Sequence, residues 1–167
     1  MRKKLLVVVF VILMLFAFSG CSQVVEGIRQ TLSGDVNGEI GESYSTKWFA
    51  FTINSAKEAH NYAGYAPPAG NRLIVVDITE TGVFEQPSTM GTFDFYLDAD
   101  NFINYYWPLD PFDDSMMPMQ FLLEKGETVE YNMVYEIPEE APNLKIIYTE
   151  IDIEDNEGVS FIIDLNL

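Results

Sequence analysis

Covalent and acid–base chemistry near neutral pH needs nucleophiles, proton carriers or metal ligands, and this 167-residue chain is poor in most of them. It contains one histidine, His60, and one cysteine, Cys21. Ser/His/Asp and Cys/His catalysis both require an imidazole base beside the nucleophile. His60 lies in a turn-rich stretch, residues 58–68, and no GxSxG nucleophile elbow occurs. One His and one Cys also fall short of a usual zinc site, and a single Cys excludes an intrachain disulfide and a CxxC redox pair. Carboxylates are the exception, with 26 Asp and Glu against nine Lys and Arg. Two carboxylates flanking a glycosidic bond can hydrolyse it, which leaves a carboxylate-based carbohydrate-active enzyme as an alternative. Most of these acids sit at polar strand positions or in turns, where a solvated carboxylate keeps its ordinary pKa. The leading expectation is a protein that is not an enzyme and carries no cofactor.

Metal chemistry has two openings. Asp152, Glu154 and Asn156 alternate as in a calcium loop, but the glycine falls at Gly158 and the twelfth position holds Ile163 where a bidentate Glu is needed. The EF-hand pattern therefore fails. Asp98, Asp100 and Asn101, or Asp110, Asp113 and Asp114, leave an irregular oxygen cage, and with it a calcium-dependent enzyme, as a further alternative. The expectation is no metal.

Recognition has a better candidate in residues 105–119, YYWPLDPFDDSMMPM. Pro108, Pro111 and Pro118 prevent a continuous central strand, which places Tyr105, Tyr106, Trp107 and Phe112 on a loop, where recognition commonly resides. Aromatic and Met side chains offer large, adaptable apolar contact for a protein, peptide or glycan. Tyr62 and Tyr65, in HNYAGYAPP, form a second candidate. The competing reading is a lid that buries Trp107 and Phe112 over an open end of the core.

The element that must position all of this begins at the N-terminus. Arg2, Lys3 and Lys4 precede an apolar run from Leu5 to Phe18, the layout of a secretory signal and too short for a comfortable bilayer span of about 20 residues. It closes on Phe18-Ser19-Gly20-Cys21, which resembles the lipobox of bacterial lipoproteins, with Phe18 where Leu is usual. The resemblance implies cleavage after residue 20 and a diacylglyceryl group on Cys21. Two or more acyl chains hold a protein stably where one is marginal, so the expected location is the extracytoplasmic face of the cell membrane. Loss of the leader removes three of the nine basic residues and no acid, leaving six positive against 26 negative charges, a net −20. Such an excess argues against nucleic acid as a partner.

Residues 21–38 read as a lipidated Cys and a Gly-punctuated tether of about 20–25 Å. From residue 39 onward period-two patterns dominate. Phe49, Phe51 and Ile53 share one face, as do Ile74, Val76 and Ile78; Phe93, Phe95 and Leu97; Val129, Tyr131, Met133, Tyr135 and Ile137; and Val159, Phe161, Ile163 and Leu165. Turn signals separate them, and Pro138 and Pro142 frame a further strand over residues 144–149. Many short strands and almost no helical period predict an all-β fold, an antiparallel immunoglobulin-like β-sandwich over residues 39–167.

The order of segments resembles the bacterial domain of unknown function 4352, whose members are similar in fold to the secreted mycobacterial MPB63-type antigen. The resemblance rests on residues 41–57 (GESYSTKWFAFTINSAK), 70–81 (GNRLIVVDITET), 123–138 (LEKGETVEYNMVYEIP) and 144–150 (LKIIYTE). It implies an immunoglobulin-like domain at a surface and brings no catalytic residues. The sequence thus predicts a lipid-anchored binding protein of unknown ligand, with a structural envelope component as the other non-enzymatic reading. Replacing Cys21 with Ala is expected to move the protein from the detergent phase to the culture fluid in a phase-partition assay; continued membrane retention would contradict lipidation.

Overall fold

The computed structural model describes residues 34–100, 105–151 and 157–167. The leader, Cys21, Asn101 and the calcium-like stretch with Asp152, Glu154 and Asn156 lie outside the described residues. The chain forms β1 (Val36–Glu39), β2 (Ser43–Ser45), β3 (Phe49–Ala59), β4 (Asn71–Gly82), β5 (Ser88–Met90), β6 (Phe95–Ala99), β7 (Phe121–Leu123), β8 (Thr128–Pro138), β9 (Leu144–Ile151) and β10 (Glu157–Asp164). One sheet has the order β2-β3-β4-β8 and the other β1-β10-β9-β6, with β5 and β7 forming a small ribbon. Every pair is antiparallel except β1 with β10. β1 takes in residues 36–38, which the sequence assigned to the tether; pairing with β10 makes them the edge of a sheet.

The alternating segments become strands because each has one face to bury. Phe49, Phe51 and Ile53 of β3, Ile74, Val76 and Ile78 of β4, Met133, Tyr135 and Ile137 of β8, and Phe161 and Ile163 of β10 all enter one core between the sheets. Its centre is aromatic: Phe49 and Tyr148 lie 5.0 Å apart, Phe51 and Phe95 5.3 Å, and Phe51 and Phe161 5.7 Å, mostly edge to face. Phe93 departs from the expected pattern. It sits in a single 3-10 turn, Thr92–Asp94, ahead of β6 and is exposed.

β4 is also buried on its outer face. Leu73 and Val75 join Val134 and Met116 in a second, smaller cluster, with Tyr62, Tyr65 and Leu109 packed on it. The cover comes from residues 105–119, which cross from one sheet to the other. Leu97 of the edge strand β6 exchanges two backbone hydrogen bonds of 2.8 Å with Tyr106. Further on, Leu109 N–H donates to Val134 O at 2.7 Å, Asn132 N–H to Ser115 O at 2.9 Å and Met117 N–H to Asn132 O at 2.9 Å. These bonds occupy the free edge of β8, which would otherwise expose unpaired amides.

Close backbone approach fixes where this crossing ends and where β7 leaves off. A Cβ on Gly91 would stand 2.0 Å from Met119 O, and one on Gly82 2.1 Å from Glu124 O. Replacing the fully buried Phe51 with Ala should lower the unfolding free energy by about 3–5 kcal/mol in denaturant titration, whereas Leu122→Ala, at an exposed site, should change it by no more than about 0.5 kcal/mol.

Candidate functional site

The bond pair between Leu97 and Tyr106 sets the geometry of the most distinctive surface. In an antiparallel pair, side chains alternate and residues on either side of a bridge share the opposite face. Leu97 and Tyr106 therefore turn toward the core, where Tyr106 packs and burial raises its hydroxyl pKa. Tyr96, Tyr105 and Trp107 turn outward. Tyr96 lies 4.5 Å from Tyr105 and 5.6 Å from Trp107, and Trp107 lies 5.9 Å from Phe93. Trp107, Tyr105 and Phe93 remain 47%, 59% and 54% exposed.

Opposite this wall stands a second one. Trp48, immediately before β3, meets Phe84 at 4.7 Å, and Trp48 O accepts backbone N–H bonds from Val83 and Phe84 at 3.3 and 3.2 Å. The two sets of rings line one half-open cleft of about 710 Å³ together with Met90, Asp94 and Tyr148, a size within the usual range for small-molecule sites. Both tryptophans of the protein line it. No basic side chain does.

Two carboxylates define the electrostatics beneath. Glu80 continues the register of Ile74, Val76 and Ile78, so it faces the interior; it is 1% exposed and neither carboxyl oxygen has a hydrogen-bond partner among the described residues. Burial, and then the nearby Asp94, push its pKa up to about 8. Glu80 does not line the cleft. Asp94 does, and burial raises its pKa while the Gly91 N–H, donating at 2.7 Å, opposes the rise. Tyr148 is raised first by burial and then by the carboxylates of Glu150, Asp94 and Glu80. Strand alternation carried the signal for Glu80, an acid in apolar register; nothing in the local sequence marked Trp48, Phe84 or Phe93 as sharing a cleft with Trp107.

The remaining sequence candidates fall elsewhere. Phe112 is 45% exposed and packs with Tyr65 at 5.6 Å and Tyr62 at 6.2 Å, over the outer face of β4 and β8. Tyr62 and Tyr65 close a two-residue turn through Ala63 and Gly64, both at positive φ, with reciprocal backbone bonds of 2.9 and 2.8 Å. Their hydroxyls are engaged by Ser115 and Glu136. The expected lid does not form as such: Trp107 and Phe112 stay half exposed in two separate patches, and the segment buries Met116 and Met117 instead. His60 is exposed. Asp100 binds Lys145 and Asn143, and Asp113 binds Ser115. Among the described residues no three His, Cys, Asp or Glu converge as metal ligands, and no helix is long and apolar enough to cross a membrane.

Fold and surface together define a β-sandwich protein with an aromatic cleft at one corner. No family model and no curated protein matches the chain. Among solved structures it is similar to the yjhA protein of Bacillus subtilis, at 15% identity over 76% of this chain and 98% of that one, with a TM-score of 0.61. It is similar also to MPT63, a secreted protein of Mycobacterium tuberculosis, at 11% identity over 77% and 97%, TM-score 0.57. A third is ycdA of Bacillus subtilis, described as a candidate lipoprotein, at 15% identity and TM-score 0.58; 75% of this chain aligns, spanning 39% of the length of that one. At such identities the likeness is one of fold.

The raised pKa of Glu80 makes stability depend on pH with a defined sign. The folded protein holds this proton up to about pH 8, whereas an unfolded carboxyl releases it near its ordinary 4.5. The native state therefore binds more protons across that window, and its stability, full below the lower value, declines as pH rises toward the upper one. Thermal melting should fall by several degrees between about pH 5 and pH 8, and Glu80→Gln should flatten most of that slope; an unchanged slope in the variant would contradict the assignment.

Proposed function

We propose that this protein is a lipid-anchored extracytoplasmic binding protein, not an enzyme, held to the membrane through Cys21 and taking a small ligand in the cleft between Trp48 and Trp107. The sandwich is read as a domain of the 4352 type, on the strength of the sequence segments that resemble it. A single observation carries the binding reading: two walls of partly exposed aromatic rings enclose about 710 Å³ instead of collapsing on each other. Exposed aromatic surface of this kind on a rigid scaffold marks interaction sites.

The pair Glu80 and Asp94 favours a second reading, hydrolysis by two carboxylates with raised pKa. Such chemistry needs both groups to flank the scissile bond. Only Asp94 lines the cleft, and Glu80 lies buried out of reach of a bound substrate, so binding is the better supported function.

The test uses the two tryptophans, both in the cleft, as reporters. Titration of the mature domain with N-phenyl-1-naphthylamine, a neutral apolar fluorophore, should quench their emission saturably with energy transfer to the probe. Trp107→Ala should weaken that binding about tenfold, the loss expected for one aromatic contact of about 1–1.5 kcal/mol, with the far-ultraviolet circular dichroism unchanged. Absence of saturable quenching would overturn the cleft as a binding site.

A further inference from the structure

The chemistry lining the cleft restricts what can occupy it. Its walls are ring faces and edges from Trp48, Phe84, Phe93, Tyr96, Tyr105 and Trp107, and its one charged lining group is the Asp94 carboxylate. An anion would meet the Asp94 carboxylate with the mature chain's net charge of −20 behind it. Ser88, Thr89 and Thr149 add hydroxyl groups to the lining but no charge, and one Asp94 oxygen accepts from Gly91 N–H at 2.7 Å. An organic cation meets what is present, since aromatic faces attract positive charge through their quadrupole and a carboxylate supplies the countercharge. Within this surface, the Lys47 ammonium already stands 5.2 Å from the centre of the Trp48 ring.

We propose that the cleft binds a soluble alkylated ammonium compound, its cationic head held against the Trp107 and Tyr96 rings and balanced by Asp94. Alkylation matters because a quaternary head brings no N–H donors to satisfy and presents methyl groups to the aromatic rings. The mature chain's acidity also disfavours an anionic lipid surface as the source, and the cleft has the volume for a whole small solute rather than a headgroup alone.

This inference rests on the binding reading above and goes beyond it in naming the ligand class. The deciding comparison is calorimetric titration of the mature domain with choline and with 3,3-dimethylbutan-1-ol, a neutral molecule of nearly the same shape. Choline is expected to bind at least about tenfold more tightly. Asp94→Asn keeps an oxygen for the Gly91 N–H and should erase most of that preference while leaving the neutral compound unaffected; Trp107→Ala should weaken choline about tenfold. Equal affinity for the two probes would overturn the cation assignment, and saturable quenching by the naphthylamine would then leave the cleft standing as an apolar site. Binding to phosphatidylcholine vesicles in co-sedimentation without binding of free choline would overturn the assignment to a soluble ligand, and so would no binding of either probe.

Discussion

The crossing of residues 105–119 from β6 to β8 is the constraint on which both the closed sandwich and its surface depend. An open two-layer sandwich has four edges, each a row of unpaired amides and carbonyls. Here the chain pairs first with Leu97 on one sheet and then with Val134 and Asn132 on the other, so one segment satisfies both edges on that side. Three prolines stop it from becoming a strand, yet strand alternation survives around Tyr106. The same two hydrogen bonds that staple the layers thereby decide that Tyr106 is core and that Tyr105 and Trp107 are surface.

Energetically the corner combines opposing terms. Half-exposed aromatic rings forgo part of the burial free energy that the central Phe and Tyr cluster gains, at about 25 cal/mol per Å² of apolar surface. Glu80 adds a cost of its own, because a carboxyl without a hydrogen-bond partner in the interior loses its hydration uncompensated. A chain selected only for stability would place Val or Leu there. Local cost concentrated in one corner, under a cleft lined by both tryptophans, fits a site kept for binding rather than for packing.

Much of the architecture was legible in the sequence because an antiparallel sandwich buries alternate residues, and the runs at Phe49, Ile74, Met133 and Phe161 announce which. β1 escaped notice because a four-residue edge strand beside Gly34 and Gly38 carries almost no apolar signal. Phe93 was misplaced because alternation extends one step too far: the 3-10 turn before β6 rotates it outward. Of the site, Tyr105 and Trp107 could be singled out from composition alone. Their separation from Phe112, and the cleft they share with Trp48 and Phe84, follow from a fold that brings together residues as far apart in the chain as Trp48 and Trp107, 59 positions, which no local pattern encodes. Tyr62 and Tyr65 attracted attention for their aromatic character, but their hydroxyls are engaged in holding a turn against β8 and the crossing segment.

Native-state amide hydrogen exchange tests the central claim most directly. If the crossing segment is an integral staple, the amides of Leu97, Tyr106, Asn132 and Met117, each donating across it, will be protected to the same degree as those of β3 and β4 and will be released with them in one cooperative unit. Rapid exchange of Tyr106 and Met117 while the β3 and β4 amides remain protected would contradict it, leaving the loop a loose appendage and the aromatic wall without a fixed geometry.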